Sequence, residues 1–439
     1  MKSNMHQSNK HMKKPDVLLV LGSSNGSLSI VQTAKRMGVK TIVTDFLPRG
    51  KSMAKMLADE YWTINTGDVD ELARECLKRG VTGVLAAASD FNVDKMIELN
   101  DRLGHASYCT ADAWHYSRDK RMFKDLCKRV GAPIADDYGV TRTMLKGDRD
   151  AVKYPVVVKP IDLSSNRGVS YCYNEHDLIN ACRSAWEISD SDEIIVERML
   201  HGEEWYGMYA IADGEARLLA LNAMYSQPGE PKNCYTITTS VSNHVEQFIK
   251  EINPHITNVL SQAGCTDGMA WVQVMLDADG RFYIIEMGYR MDGEMTLIPC
   301  KDVCHFDSVK WMIEASLGRI HSREQLPTPQ TKAFERCATS MDLFVNKGGT
   351  ISEITGFDKM SEMEGVYVES NRHVGDAISK YSAVGIVTFV TENCDEMCEM
   401  IKKVNDTMHV YNEKGEDVII KYTDFDYLKR VYAEGLAGK

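Results

Sequence analysis

Met269–Arg290 reads M-A-W-V-Q-V-M-L-D-A-D-G-R-F-Y-I-I-E-M-G-Y-R. Two apolar-rich arms, Met269–Leu276 and Arg281–Met287, flank the turn Asp277–Gly280, so the stretch predicts a β-hairpin. Setting Leu276 opposite Arg281 places Gln273 across from Ile284. The period of two then carries Ile284, Glu286, Gly288 and Arg290 to one side. In that register Gln273 and Glu286 are diagonal neighbours on a face otherwise lined by Trp271, Met275 and Ile284. Oxygen-bearing side chains in such a setting suit Mg²⁺, which keeps some waters and takes further ligands from substrate phosphates. The Arg290 guanidinium on the same side suits a carboxylate or phosphate.

Upstream, Tyr154–Pro160 (Y-P-V-V-V-K-P) is a short β-branched strand that Lys159 nearly closes. A cation at the end of a buried strand needs either an anion or an outlet to solvent. Ile161–Val169 (I-D-L-S-S-N-R-G-V) follows, with hydroxyls, an amide, a guanidinium and Gly168, a set able to wrap phosphate oxygens. Asp119–Val130 is an amphipathic helix stopped by Gly131, with Pro133 beyond it. Glu193–Val196 leads a further strand. Taken singly, each segment reads equally well as an ordinary polar turn or surface element.

The first hundred residues alternate strand and helix signals. Strands are predicted at Val17–Leu21, Lys40–Asp45, Tyr61–Ile64 and Val81–Ala87, and helices at Leu28–Met37 and Asp68–Arg79, the second capped by Asp68. Such alternation implies parallel pairing in a doubly wound sheet. Gly22–Gly26 (G-S-S-N-G) follows the first strand, but a dinucleotide fingerprint needs glycine where Ser24 stands. A structural strand-to-helix turn is the preferred reading. Beyond about residue 325 a strand-rich section containing Gly348 and Gly349 runs into a polar tail.

Composition sets the outer limits. At roughly 150 residues per domain, 439 residues suggest about three domains. Apolar residues at 44% and charged residues at 26% match a folded globular chain. A formal net charge of −12 lacks the basic footprint of a nucleic-acid binder. No apolar run approaches the roughly 18 residues of a membrane span, and no signal-type apolar segment follows the basic start, so a cytoplasmic protein is expected. The twelve cysteines are scattered and are expected to be reduced thiols. Cys300 and Cys304, like Cys394 and Cys398, lie four apart with no second half of a zinc site.

Taken in order, the segments resemble the ATP-grasp superfamily. Lys120, in the Asp119-Lys120 pair that starts its helix, matches a first nucleotide-phosphate lysine, and Lys159 matches the second. Ser164, Ser165, Asn166, Arg167 and Gly168 match the phosphate-covering loop. Glu197, Arg198, Met199 and Leu200 match the stretch that clasps adenine, mainly through backbone groups, and Glu204 the ribose-binding acid. Gln273 and Glu286 match the Mg²⁺ ligands, and Arg290 matches the residue that positions substrate or acyl phosphate. The family pattern E-x-N-x-R is broken at Gly288, which has no side-chain oxygen; Asp292 and Glu294 are candidates to compensate.

The resemblance implies an α/β chain in three parts. These are an N-terminal doubly wound parallel-sheet domain (pre-ATP-grasp) over 1–115, a two-lobed α+β ATP-grasp module over 116–325 and a C-terminal strand-rich α+β domain over 326–439. It also implies ATP and Mg as cofactors, a small carboxylate and an amine as substrates, a homodimer, and ligation through an acyl phosphate. Lys159 and Arg290 would carry the catalytic charge. Three other readings stay open: a non-catalytic ATP-binding module, a phosphotransferase or bicarbonate-using carboxylase, and, last, a dehydrogenase. The loop Tyr225–Tyr235, with Lys232 and Asn233, reads as substrate-facing or as plain surface, while Trp205, Met208 and Met224 are expected in the core.

Overall fold

The computed structural model describes residues 15–23, 25–143, 151–163 and 167–438. Ser164, Ser165 and Asn166 lie outside the described residues. In the first part, β1 (Val17–Leu21), α1 (Ser27–Arg36), β2 (Lys40–Thr44), α2 (Met53–Leu57), β3 (Glu60–Trp62), α3 (Val69–Arg79) and β4 (Gly83–Ala86) alternate as expected. Their parallel sheet has the order β3-β2-β1-β4. Asp68 caps α3 by accepting from the Glu71 amide at 3.0 Å. Helices α4 (Asp90–Leu103), α5 (Ala111–Arg118) and α6 (Lys120–Arg129) follow.

Why the Gly22–Gly26 turn is structural becomes clear at α1. Gly26 has a φ of 90° and offers the helix no side-chain cap. The Gly26 amide instead donates to Glu369 Oε2 at 2.9 Å, and the Tyr367 hydroxyl donates to the same oxygen at 2.6 Å. A carboxylate from 343 residues along the chain thus fills the anion site at this helix N-terminus. Glu369→Ala should strand the Gly26 amide and cost about 1–3 kcal/mol, read as a lower thermal midpoint. An unchanged midpoint would remove Glu369 as the anchor.

The middle of the chain has two lobes. β5 (Val156–Pro160), β6 (Ser170–Cys172), α7 (Glu175–Ile188) and β7 (Ile194–Arg198) form the small one, an antiparallel sheet of order β6-β5-β7. Its core, including Val156, Val158, Leu178 and Val196, is separate from the main one. The second lobe comprises β8 (Gly202–Ala212), β9 (Glu215–Ser226), β10 (Tyr235–Thr239), α8 (Val245–Glu251), α9 (Asn253–Gln262), β11 (Gly268–Asp277), β12 (Phe282–Gly288), α10 (Leu297–Cys304) and α11 (Ser308–Ser316). Trp205, Met208 and Met224 are buried there.

The last part contains β13 (Cys337–Phe344), β14 (Gly349–Thr355), α12 (Phe357–Ser361), β15 (Tyr367–Ser370), β16 (Ala377–Ile378), β17 (Ala383–Thr391), α13 (Cys394–Thr407), β18 (His409–Asn412) and α14 (Phe425–Leu436). The expected polar tail is in fact α14: Asp424 caps it, and Leu428 and Val431 form a buried stripe that the surrounding charge hides. Strands β13, β17 and β15 extend the second lobe's sheet into one of eight strands, β12-β11-β8-β9-β10-β13-β17-β15. All twelve cysteines are free thiols, buried except for Cys304. Among the described residues no helix is long and apolar enough to cross a membrane.

The hairpin β11–β12 forms, but in a different register from the expected one. Leu276 pairs with Phe282 rather than Arg281, and an irregularity between Gln273 and Val274 sets Gln273 opposite Glu286 and Val274 opposite Ile284. Ile285 is the extra residue, and the Ile284 amide turns away to donate to Pro133 O at 2.8 Å. Ile284 therefore joins the core with Val274, while Gln273 and Glu286 are direct partners on the other face. Register carries that second face across the sheet: Tyr206 lies opposite Gln273, Asn222 opposite Tyr206, Thr238 opposite Met224, and Ser340 opposite Thr238.

Candidate functional site

Lys159 and Glu197 share one face of the small lobe, because β5 and β7 pair Val157 with Glu197 and Lys159 with Ile195. Lys159 Nζ forms a salt bridge to Glu197 Oε1, and Lys124 Nζ, from α6, forms one to Oε2. Glu197 and Lys124 are 4% and 3% exposed, so the carboxylate is sealed between two ammonium groups. Burial alone would raise the Glu197 pKa, but Lys159 and Lys124 outweigh it and bring it from 4.5 down to about 2. The folded value is the lower one, so this pairing stabilises the protein above about pH 4.5 and fades as pH falls towards 2. Burial also works against the Lys159 charge, yet Glu197, Glu286 and Glu204 together push its pKa up. The Glu197 side chain thus supports Lys159. Lys124 is a residue the sequence reading missed, although its spacing of four from Lys120 places both on one helix face.

Lys120 starts α6, where Asp119 caps by accepting from the Met122 amide at 2.9 Å. Its Nζ donates to Leu163 O at 2.5 Å and its amide to Ile161 O at 3.3 Å, so it sits beside the start of the expected phosphate loop. Burial lowers its pKa, with Glu286 opposing. Arg167 is exposed, and Gly168 turns with a φ of 76°. Between the lobes the Arg198 guanidinium is engaged by Asp277 Oδ2 at 2.5 Å and stacks over Tyr283. The Arg198 and Met199 amides donate to Asp136 O and Pro155 O, and His201 N donates to Asp277 Oδ1 at 2.7 Å. Asp277, from the hairpin turn, therefore pins the segment Glu197–Leu200 that joins the lobes.

Across the cleft, Glu204 accepts from the Tyr235 hydroxyl at 2.6 Å and from Gln273 Nε2. Burial raises its pKa. A cavity of about 250 Å³ adjoins it, lined in part by Met224, Lys232, Tyr235, Tyr422 and Tyr427. Because the Gln273 amide nitrogen is committed to Glu204, its carbonyl oxygen is left for another partner. The Glu286 carboxylate forms no hydrogen bond or salt bridge among the described residues, although its charge weighs on both Lys120 and Lys159. Among the described residues no three carboxylates, thiols or imidazoles gather closely enough to hold a metal alone. One carboxylate and one amide oxygen fit a single Mg²⁺ whose remaining ligands are phosphates and water.

Gly288 has a packing reason. A Cβ there would stand 2.5 Å from Trp271 Nε1 and closer still to Cε2 and Cζ2, so the indole fills the place of a side chain at 288. The Arg290 guanidinium stacks on the same ring, 5.2 Å from its centroid, and its Nε donates to Asp90 Oδ1 at 2.6 Å. Asp292 has one oxygen engaged and the other, Oδ1, without a hydrogen-bond partner among the described residues. Its Oδ2 accepts from the Tyr206 hydroxyl at 2.9 Å, the Thr296 amide at 2.8 Å and the Thr296 hydroxyl at 2.9 Å. Glu294 lies nearby, and burial, then Asp292, raises its pKa to about 7.

Comparison with known proteins follows the same outline. Residues 152–297 match the ATP-grasp domain. Formate-dependent phosphoribosylglycinamide formyltransferase of Prochlorococcus marinus is 24% identical over 257 residues, 56% of this chain and 65% of that protein. The mitochondrial propionyl-CoA carboxylase alpha chain of Mus musculus is 21% identical over 456 residues, 96% of this chain and 62% of that one. The match thus spans less than two thirds of either relative. Among solved structures, L-amino acid ligase from Bacillus licheniformis superimposes with a TM-score of 0.74 at 17% identity, covering 91% of this chain and all of that one. The biotin carboxylase domain dimer of Hydrogenobacter thermophilus 2-oxoglutarate carboxylase, solved with MgADP, gives 0.74 at 16%, covering 97% and 95%. The chain carries an ATP-grasp domain, set in a fold shared with ligases and carboxylases.

Proposed function

We propose that the chain is an ATP- and Mg²⁺-dependent ligase that activates a small carboxylate, such as an amino acid, and joins it to an amine. The observation that carries this reading is that Lys120 and Lys159, from two separate elements, both lie in the field of Glu286, which faces Gln273 across the hairpin and has no hydrogen bond or salt bridge among the described residues, with Arg290 four residues further along the chain. Such a group answers the charge problem of bringing an anion to a triphosphate. A carboxylate oxygen attacks the γ-phosphorus, and ADP departs with the bond's electron pair. The amine lone pair then attacks the acyl carbon, the C–O bond to phosphate breaks, and the nitrogen loses a proton. Lys120 and Lys159 neutralise the phosphates, and Arg290 orients the carboxylate. Glu286 and Gln273 would hold Mg²⁺, which would supply charge neutralisation for the phosphates.

The test is phosphate release from Mg-ATP with pools of carboxylates and amines, and a parallel bicarbonate arm. Release that needs both a carboxylate and an amine supports the ligase; release with bicarbonate alone replaces it by a carboxylase. ATP bound but never hydrolysed in any pool would overturn it in favour of a binding module. Glu204→Ala should raise the KM for ATP about tenfold, the worth of one lost hydrogen bond to a charged group, with a smaller change in kcat. A fall in kcat alone would contradict the ribose role.

A further inference from the structure

Past Arg290 in the chain, three acidic side chains come within one another's field. Asp292 and Glu294 come from the segment after β12, and Asp342 from β13 in the last part of the chain. The charges that weigh on Asp342 are those of Glu294 and Asp292, both negative. Those that weigh on Glu294 are Asp292 and Glu286, opposed by Arg290. Arg290 donates to Asp90 and to Met291 O, at 2.6 and 2.7 Å. Among the described residues no lysine or arginine forms a salt bridge with Asp292, Glu294 or Asp342. Carboxylates withdrawn from water without a counter-ion are costly; Asp292 and Asp342 are buried, Glu294 is half-buried, and each lies in the field of another.

Independent of charge, acceptors on the same sheet face are left unused. Ser340 stands two residues before Asp342 and opposite Thr238, and the hydroxyl oxygens of both are buried without a partner. Asp292 Oδ1 is likewise buried and unpartnered, while its other oxygen takes three hydrogen bonds. Ser340 and Thr238 are fully buried and Asp292 is 2% exposed. Buried polar atoms are rarely left so, and their usual missing partners are water or a ligand. A bare metal ion does not answer the need, since no three such ligands come close together among the described residues. An organic cation, with several N–H donors spread over a few ångströms, does.

We propose that the amine substrate carries two cationic nitrogens, as a diamine or a basic amino acid does, and that its non-reacting charged end lies among Asp342, Glu294 and Asp292, with Ser340 and Thr238 accepting further N–H bonds. This rests on the ligase reading for what happens to the second nitrogen, but recognition itself does not depend on turnover. An amine bearing a carboxylate or phosphate at that end meets three like charges and is rejected.

Two measurements separate the claims. Calorimetry of the full chain with Mg-ADP present compares 1,5-diaminopentane and lysine with pentylamine, alanine and glutamate. Phosphate release from Mg-ATP is then read with the same amines and a pool of carboxylates. The expected result is at least tenfold tighter binding of 1,5-diaminopentane than of pentylamine, with glutamate not bound. Asp342→Asn should erase most of that preference while Mg-ADP still binds, which also shows that the variant is folded, and Glu294→Gln should erase most of it too. Equal binding of pentylamine, or a preference that survives both substitutions, overturns the proposal. Dication binding without phosphate release from any pool would support the site and count against the ligase; release that prefers neutral amines would do the reverse.

Discussion

Lys159→Met should lower phosphate release from Mg-ATP by about a thousandfold, the ordinary worth of a preorganised charge aimed at a transition state. The residue is well placed for that: Glu197 holds its ammonium from one side, and Glu286 and Glu204 lie within its field. The same geometry means that the substitution also touches stability. With Lys159 gone, Glu197 keeps only Lys124, and a half-compensated buried carboxylate lowers the thermal midpoint. A matched control is therefore available in Lys124→Met, which removes the other partner of the same carboxylate. If Lys159 acts on phosphate, Lys124→Met should destabilise the fold to a similar degree yet retain far more of the turnover. Equal losses of activity in two folded variants would mean that both lysines serve the fold through Glu197. Wild-type turnover in a folded Lys159→Met protein would remove the assignment altogether.

The contrast between Lys159 and Lys124 also marks what a sequence can carry. Lys159 was legible because a β-branched strand, a cation and a polar loop are neighbours in the chain. Lys124 was not, because its partner lies on β7 and meets it only when α6 packs against the small lobe. The hairpin illustrates a subtler failure. Its turn and its two arms were readable, but Ile284 and Ile285 are equally apolar, and nothing in the pattern says which is the extra residue. The answer depends on Pro133, which takes the Ile284 amide out of step. Glu369 closes the same lesson at the other end of the chain: local pattern alone favours a structural turn at Gly22–Gly26, but the carboxylate that meets the Gly26 amide arrives only when β15 joins the large sheet. The pairing of β10 with β13, which brings Asp342 near Glu294, was equally beyond local pattern.

Gly288→Asn is the substitution that restores the family pattern on paper, and it should fail. The indole of Trp271 already occupies the space beside residue 288, so an asparagine Cβ forces the ring to move. Overpacking of that kind costs about 1–3 kcal/mol. The functional cost should be larger, because Trp271 also carries the Arg290 guanidinium on its face and meets Tyr206 edge-on at 6.4 Å. Tyr206 in turn donates to Asp292. Displacing the ring therefore disturbs the Arg290 position and the Tyr206–Asp292 contact together, and a shift of about 1 Å at a reacting centre is worth about a hundredfold in rate. Gly288→Asn should thus lower both the thermal midpoint and, by about a hundredfold, phosphate release. Trp271→Ala makes room, and in that background Gly288→Asn should lower the Mg²⁺ concentration needed for half-maximal nucleotide binding, because the amide oxygen can then reach a cation. A stable, fully active Gly288→Asn single variant would show instead that the ring yields freely and that glycine at 288 is not dictated by Trp271.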